Sequence, residues 1–181
     1  IGEEFTTNPK VAKLTFTGST AVGKMLAGKA AANMKRVSCE LGGHAPFIVL
    51  KDADPVYAAK GLQLVKFLNT GQACISPNWI FVHREVLESF LETFADRVGG
   101  MKAGNGMEQG VTIGPLVNEA AVAKVENQVK DAVAKGAEVL CGGQRLIEGD
   151  LGQGHFFAPT VLNNVTPDML IYREETFGPV A

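Results

Sequence analysis

The sequence predicts an α/β fold with a largely parallel sheet. Strand-like runs alternate with helical runs along the chain, and Gly- or Pro-bearing turns separate one from the next. The composition is that of a globular protein, with 46% hydrophobic and 20% charged residues among 181 and a formal net charge of −2.

The first strand is read over VAKLTFT, residues 11–17, where β-branched and aromatic side chains alternate with others. Gly18 then turns the chain, and Ser19 is suited to cap a helix running through AVGKMLAGKAAANMK. Val22, Met25, Leu26 and Ala30 mark its expected apolar face. RVSCEL and APFIVL, residues 36–41 and 45–50, read as strands flanking the flexible pair Gly42 and Gly43. A helix follows from Asp54 through Val65, with Pro55 at its first position.

Beyond Gly71 the segment QACISP turns into NWIFVH, a short buried strand. Residues 85–98 place Val86, Leu87, Phe90, Leu91 and Phe94 on one helical face. Residues 99–115 hold six glycines and read as a loop. Residues 119–135 give the clearest helix, with a stripe of Val122, Val125, Val129, Ala132 and Val133 and a stop at Gly136. AEVLC and FFAPTVL are the last strand-like runs, separated by turn residues.

Several function classes are disfavoured. Seventeen basic against nineteen acidic residues leave no electrostatic footprint for nucleic acid. No run approaches the roughly 20 apolar residues of a membrane span, and the opening has no signal-peptide core. Neither nucleic acid nor membrane is an expected partner. Cys39, Cys74 and Cys141 lack C-x-x-C spacing and cannot all pair, which points to a reducing, cytoplasmic setting. The three histidines are dispersed, so no metal site is expected. The chain has no initiator Met and stops at FGPVA, just after a turn signal, so a piece of a longer protein is expected.

Four constellations could carry chemistry. In GSTAVG, residues 18–23, a Gly turn runs into a helix N-terminus, which offers free N–H groups to a phosphate; an ordinary capped helix is the alternative. Cys74 sits in NTGQACISP, a turn where backbone N–H groups could hold a developing oxyanion, so it reads either as a nucleophile or as an inert loop thiol. Cys39 and Cys141, inside strand-like runs, read as packed thiols. Glu40 lies between apolar Cys39 and Leu41, the partly buried setting of a general base, with a lysine-paired structural acid as its alternative. Glu175, one of two adjacent acids in EETFGP, could bind a hydroxyl pair or be simply solvated.

Taken in order, FTGST (16–20), ELGG (40–43), N-T-G-Q-x-C (69–74) and E-E-x-F-G-P (174–179) resemble the signature series of the NAD(P)-dependent aldehyde dehydrogenase superfamily. The 34-residue separation of Glu40 from Cys74 also resembles that family's spacing of base and nucleophile. The resemblance covers the whole chain, and residues 110–143 resemble most closely the succinate-semialdehyde dehydrogenase branch. It implies the end of a Rossmann-like cofactor domain over residues 1–41 and an incomplete catalytic domain over 42–181. It implies Cys74 as the nucleophile that forms a thiohemiacetal and then a thioester, and Glu40 as the base that activates the hydrolytic water. For the cofactor, NAD or NADP, it implies Gly18 and Ser19 at the pyrophosphate, Leu41 near the nicotinamide, and Glu175 and Phe177 at the nicotinamide ribose and ring. A small aldehyde as substrate and a homo-oligomer for the full-length protein are also implied. The family's oxyanion-binding Asn lies upstream of the position matching Glu40 and is not in this chain, so the chain alone is expected to bind cofactor poorly and turn over little.

Three positions depart from the pattern. Succinate-semialdehyde dehydrogenases commonly carry Arg, able to clamp a distal carboxylate, where this sequence has Leu68. Many carry a second cysteine where this sequence has Ser76, and Trp79 stands where Arg is frequent in the superfamily. A different cation would then read a distal carboxylate, and a local disulfide switch at Cys74 would be unavailable. Two other readings remain: a catalytically silent binding or structural protein on the same fold, and a coenzyme-A-acylating relative. The presence of both Cys74 and Glu40 weighs against the first, and Glu40 against the second.

Overall fold

The computed structural model describes residues 2–181 and divides into two compact units, the first ending at Gly43 and the second beginning at His44. The first unit holds α1 (Gly2–Thr7), β1 (Lys13–Gly18), α2 (Thr20–Ala31) and β2 (Arg36–Leu41). β1 and β2 pair in parallel, from Lys13 opposite Arg36 to Gly18 opposite Leu41, so β1–α2–β2 is a βαβ unit. Ser19 caps α2 as its residue type predicts, its hydroxyl accepting from the Val22 N–H. The packed face of α2 differs from the expected one. Gly23, Leu26 and Ala30 are buried, whereas Val22 and Met25 are exposed. Gly23 decides this, because a Cβ there would meet the Leu41 side chain at 2.5 Å; the helix approaches β2 along its smallest residue. The helix also ends early, at Ala31, where the Asn33 and Met34 N–H groups turn back to Ala30 and Ala31 and Met34 adopts a φ of 51°.

The second unit contains β3 (Ala45–Val49), α3 (Pro55–Lys66), β4 (Pro77–Val82), α4 (Leu87–Gly99), α5 (Glu119–Ala134), β5 (Glu138–Cys141), β6 (Val161–Asn163) and α6 (Leu170–Arg173). β3–α3–β4 is a second parallel βαβ unit. Asp54 caps α3 by accepting from the Val56 and Tyr57 N–H groups, and Pro55 occupies the first turn, where its missing N–H costs nothing. The β3–β4 register slips between Ala45 and Pro46, which pair with Pro77 and Trp79, so Asn78 is the additional residue of a bulge.

One core joins Val49, Ala59, Leu62, Phe67, Phe90, Phe94 and Val98 between the β3–β4 pair, α3 and α4. Burying side chains of this size contributes roughly 1.5–3 kcal/mol each. A second core gathers around α5, where Val122, Val125, Val129 and Ala132 are buried as the stripe predicts. Val133, expected in that stripe, is exposed, and Gln128 is buried in the helix face instead. Gln128 is tolerated there because its amide donates to the Glu174 carbonyl.

The largely parallel pairing expected from the sequence holds for two of the three strand pairs. β5 and β6 run antiparallel, since no α-helix crosses over between them. β6 is also shorter than FFAPTVL, because Phe156–Thr160 engage only through isolated bridges and loop hydrogen bonds. No described helix is long and apolar enough to cross a membrane.

Candidate active site

Cys74 lies exposed on the turn between α3 and β4, and the residues around it are held from every side. Asn69, Thr70 and Gly71 adopt φ values of 50°, 62° and 71°, three successive left-handed residues. For β-branched Thr70 that conformation is costly, on the order of 1–3 kcal/mol, and persists only when the surroundings enforce it. They do. Buried Thr70 exchanges hydrogen bonds through its hydroxyl with both the N–H and the C=O of Gly114, each at 3.2 Å. Gln72 donates to the Pro115 carbonyl at 3.2 Å and accepts from the Val117 N–H at 2.8 Å. Buried Ser76 donates to the Lys66 carbonyl at 3.0 Å. Cys74 and Ile75 are left protruding, and the Cys74 N–H has no hydrogen-bond partner among the described residues.

The EETFGP segment packs directly on this turn. A Cβ on Gly71 would lie 2.1 Å from the Gly178 carbonyl oxygen, so only glycine allows the two motifs to meet. Gly178 in turn rests on Val125 of α5. From α5, Lys124 donates to the Glu175 carbonyl and Gln128 to that of Glu174, fixing the segment's backbone. Glu175 is half-buried, and its Oε1 is sealed from solvent without a hydrogen-bond partner. Phe177, at φ 51°, is exposed.

In the first unit, Gly18 and Ser19 are exposed at the start of α2, whose first turn carries no acidic residue. Leu41 is half-buried at the end of β2, packed against Gly23. Glu40 departs from expectation: it is exposed rather than partly buried. Along β2 the half-buried positions are Val37, Cys39 and Leu41, and period-two alternation turns Glu40 with Arg36 and Ser38 to the opposite, open face. Of the strand cysteines, Cys141 is half-buried, and burial pushes its thiol above the ordinary range, in keeping with a packed thiol.

Leu68 is exposed, and Trp79 stacks between His44 and Tyr172, at ring separations of 5.0 and 5.4 Å, while donating to the Tyr172 carbonyl. No group of three or more metal-ligating side chains occurs among the described residues. A cavity of about 360 Å³ between β4, α4 and β6 is lined by none of the predicted site residues.

Two residues of this site escaped the sequence reading. Thr70 carries no signal beyond its place in the motif. Lys66 does: Ala59, Leu62 and Lys66 fall at i, i+3 and i+7 of α3, and all three are fully buried. Lys66 Nζ donates to Asn78 Oδ1 at 2.8 Å. Burial lowers its pKa to about 7, against the opposing pull of the Glu175 carboxylate.

The chain thus combines an α/β fold with an exposed cysteine on a strained, well-anchored turn beside a Glu-Glu-x-Phe-Gly-Pro loop. The chain is a member of the aldehyde dehydrogenase family, whose model matches residues 1–181. It is 52% identical, over its whole length, to mitochondrial succinate-semialdehyde dehydrogenase of Mus musculus, covering 34% of that protein. It is 50% identical to 3-sulfolactaldehyde dehydrogenase of Pseudomonas putida, again over its whole length and covering 36% of that protein. Among solved structures, succinate-semialdehyde dehydrogenase of Burkholderia pseudomallei superposes with a TM-score of 0.94 at 50% identity, over 99% of this chain and 36% of that one. Betaine aldehyde dehydrogenase of Staphylococcus aureus, solved with NAD+, gives 0.94 at 34% identity, over 100% of this chain and 37% of that one. The chain thus spans about a third of the length of the curated relatives it matches.

Proposed function

We propose that this chain carries the nucleophile and part of the cofactor site of an enzyme that oxidises an aldehyde to its carboxylic acid with NAD or NADP. The preferred substrate class is succinate-semialdehyde-like, a small aldehyde bearing a distal anion; the two relatives above are named for substrates of that kind. The observation that carries the reading is the exposed Cys74 at the crest of a turn whose flanks are fixed by Thr70, Gln72 and Ser76. Fixing the backbone on both sides of the thiol reduces the freedom lost when it meets a carbonyl carbon.

In this reading Cys74, as thiolate, forms a C–S bond to the aldehyde carbon, and its unpartnered N–H donates to the oxyanion. Bound NAD or NADP supplies a hydride acceptor. Glu40 takes a proton from the water whose oxygen attacks the thioester carbon; the C–S bond breaks and the acid leaves. Residues up to about 41 serve the cofactor and the remainder bears the nucleophile.

The residues present fit the cofactor. Gly18 and Ser19 open a 12-residue helix with no acidic residue in its first turn, which suits a pyrophosphate. Glu175 offers a carboxylate to ribose hydroxyls, with Phe177 and Leu41 as apolar neighbours of the nicotinamide. A homo-oligomer in a reducing compartment, the cytoplasm first, belongs to the same reading.

The test uses the complete protein with succinic semialdehyde or acetaldehyde, NAD or NADP, with and without coenzyme A, following reduced nicotinamide absorbance. Turnover without coenzyme A supports hydrolysis through Glu40. Turnover only with coenzyme A favours the acyl-transferring alternative, and none with any pair favours a silent scaffold.

A further inference from the structure

Cys74 and Ile75 are the corner residues of a tight turn that Ser76 closes, its N–H donating to the Ala73 carbonyl at 3.0 Å. That turn is tied to the body of the second unit by Lys66, the last residue of α3. The Lys66 carbonyl accepts from the Ser76 hydroxyl at 3.0 Å. Gly71 passes the same carbonyl on the way in, since a Cβ there would lie 3.3 Å from it. The Lys66 ammonium donates to Asn78 Oδ1 at 2.8 Å. Residues before, within and after the cysteine turn therefore all take their position from one side chain and its own carbonyl.

Stability alone does not account for a lysine at this point. Lys66 shares its buried helix face with Ala59 and Leu62, where an apolar side chain would fill the space with no charge to desolvate. The C-terminal end of α3 offsets only part of that cost, through the helix dipole. What an apolar side chain could not do is hold Asn78. Asn78 is the additional residue of the β3–β4 bulge, outside the ladder pairs that fix its neighbours Pro77 and Trp79. A hydrogen bond to its side chain settles where the bulge points, and with it the limb that descends from Cys74.

We propose that Lys66 is a positioning residue for the nucleophile. Holding Ser76 through its carbonyl and Asn78 through its ammonium, it sets the direction in which the Cys74 thiol and N–H face the aldehyde. This rests on the reading of Cys74 as the nucleophile made above. The effect passes through the backbone of residues 74–78. Thiol and oxyanion donor stand on the same corner residue, so a tilt of the turn misplaces both at once and costs rate rather than affinity.

The experiment compares two measurements on the complete protein: the single-turnover appearance of reduced nicotinamide with succinic semialdehyde, and the equilibrium affinity for NAD and NADP. Lys66→Met removes the donor and keeps an unbranched apolar stem. It should form reduced nicotinamide about tenfold to hundredfold more slowly at saturating aldehyde, the scale of a small misplacement, with dinucleotide affinity within about twofold of wild type. Should Lys66→Met not fold, Lys66→Gln, one bond shorter, takes its place. Asn78→Ala should lose rate to a similar extent, and combining it with the Lys66 substitution should cost nothing more, because the two act through one bond. A wild-type rate in the Lys66 variant overturns the proposal. So do independent, multiplying losses in the double variant, or equal losses of rate and dinucleotide affinity, which would mark a general disruption. A Cys74→Ser protein that forms reduced nicotinamide at the wild-type rate overturns the nucleophile reading itself, and this inference with it.

Discussion

Gly71 and Gly178 are in backbone contact: the position a Gly71 Cβ would take lies 2.1 Å from the Gly178 carbonyl oxygen. Through this contact the cysteine-bearing turn and the Glu175 loop, about a hundred residues apart in the chain, become one surface. Replacing Gly71 with Ala adds both that clash and a left-handed strain, since its φ is 71°. Gly71→Ala should therefore destabilise the complete protein by about 2–4 kcal/mol and slow Cys74 alkylation by iodoacetamide. Unchanged urea midpoints and alkylation rates would show that the two loops do not depend on each other.

Removing the nucleophile should separate chemistry from binding. Cys74→Ser is expected to lose at least three orders of magnitude in turnover, roughly the scale seen when a nucleophile is deleted, while retaining cofactor affinity. Glu40→Gln should instead slow release of the acid, so that reduced nicotinamide appears in a burst of about one equivalent followed by a slow phase. Rapid-mixing absorbance distinguishes them, and a Glu40→Gln protein with undiminished steady-state turnover would remove Glu40 from its role.

Lys66 links stability to pH in a defined window. Its native pKa is lowered to about 7 by burial, whereas an unfolded lysine titrates at about 10.4. Between those values the unfolded chain holds one proton more than the native one, so stability rises with pH through the window and the cost of burying the charge is carried in full below it. That cost has an upper bound of roughly 5 kcal/mol. Urea unfolding at about pH 6.5, 8 and 9.5 should show Lys66→Met losing up to about 1.4 kcal/mol per pH unit of this slope. Equal slopes for the two proteins would contradict it.

Ser76 bears on oxidation. Its hydroxyl is buried and donates to the Lys66 carbonyl, so Cys74 has no thiol two residues away with which to form a disulfide. Mild peroxide should inactivate the complete enzyme more slowly than a relative carrying the paired cysteines. Residual activity after timed exposure, with and without dithiothreitol, measures this, and equal inactivation of the two would count against it.

Much of this was legible in the residues themselves. Ser19 and Asp54 announce their helices because a side-chain oxygen before an apolar run satisfies backbone N–H groups locally, with no help from distant chain. The family follows from four short motifs taken in order, none of them specific by itself. What local sequence could not decide is which face of each element meets the core. Val22 and Val133 have core chemistry and face outward, while Gln128 and Lys66 have surface chemistry and face inward.

The sequence by itself determined the element order, the caps, the family and the identity of the cysteine that stands in a turn, because those depend on neighbours in the chain. Only the tertiary structure decided that Glu40 stands on the open face of β2, that Gly71 meets Gly178, and that Lys66 is buried with its ammonium on Asn78. Such facts arise where segments far apart in sequence compete for the same space and the same hydrogen-bonding partners, and no window of neighbouring residues contains that competition.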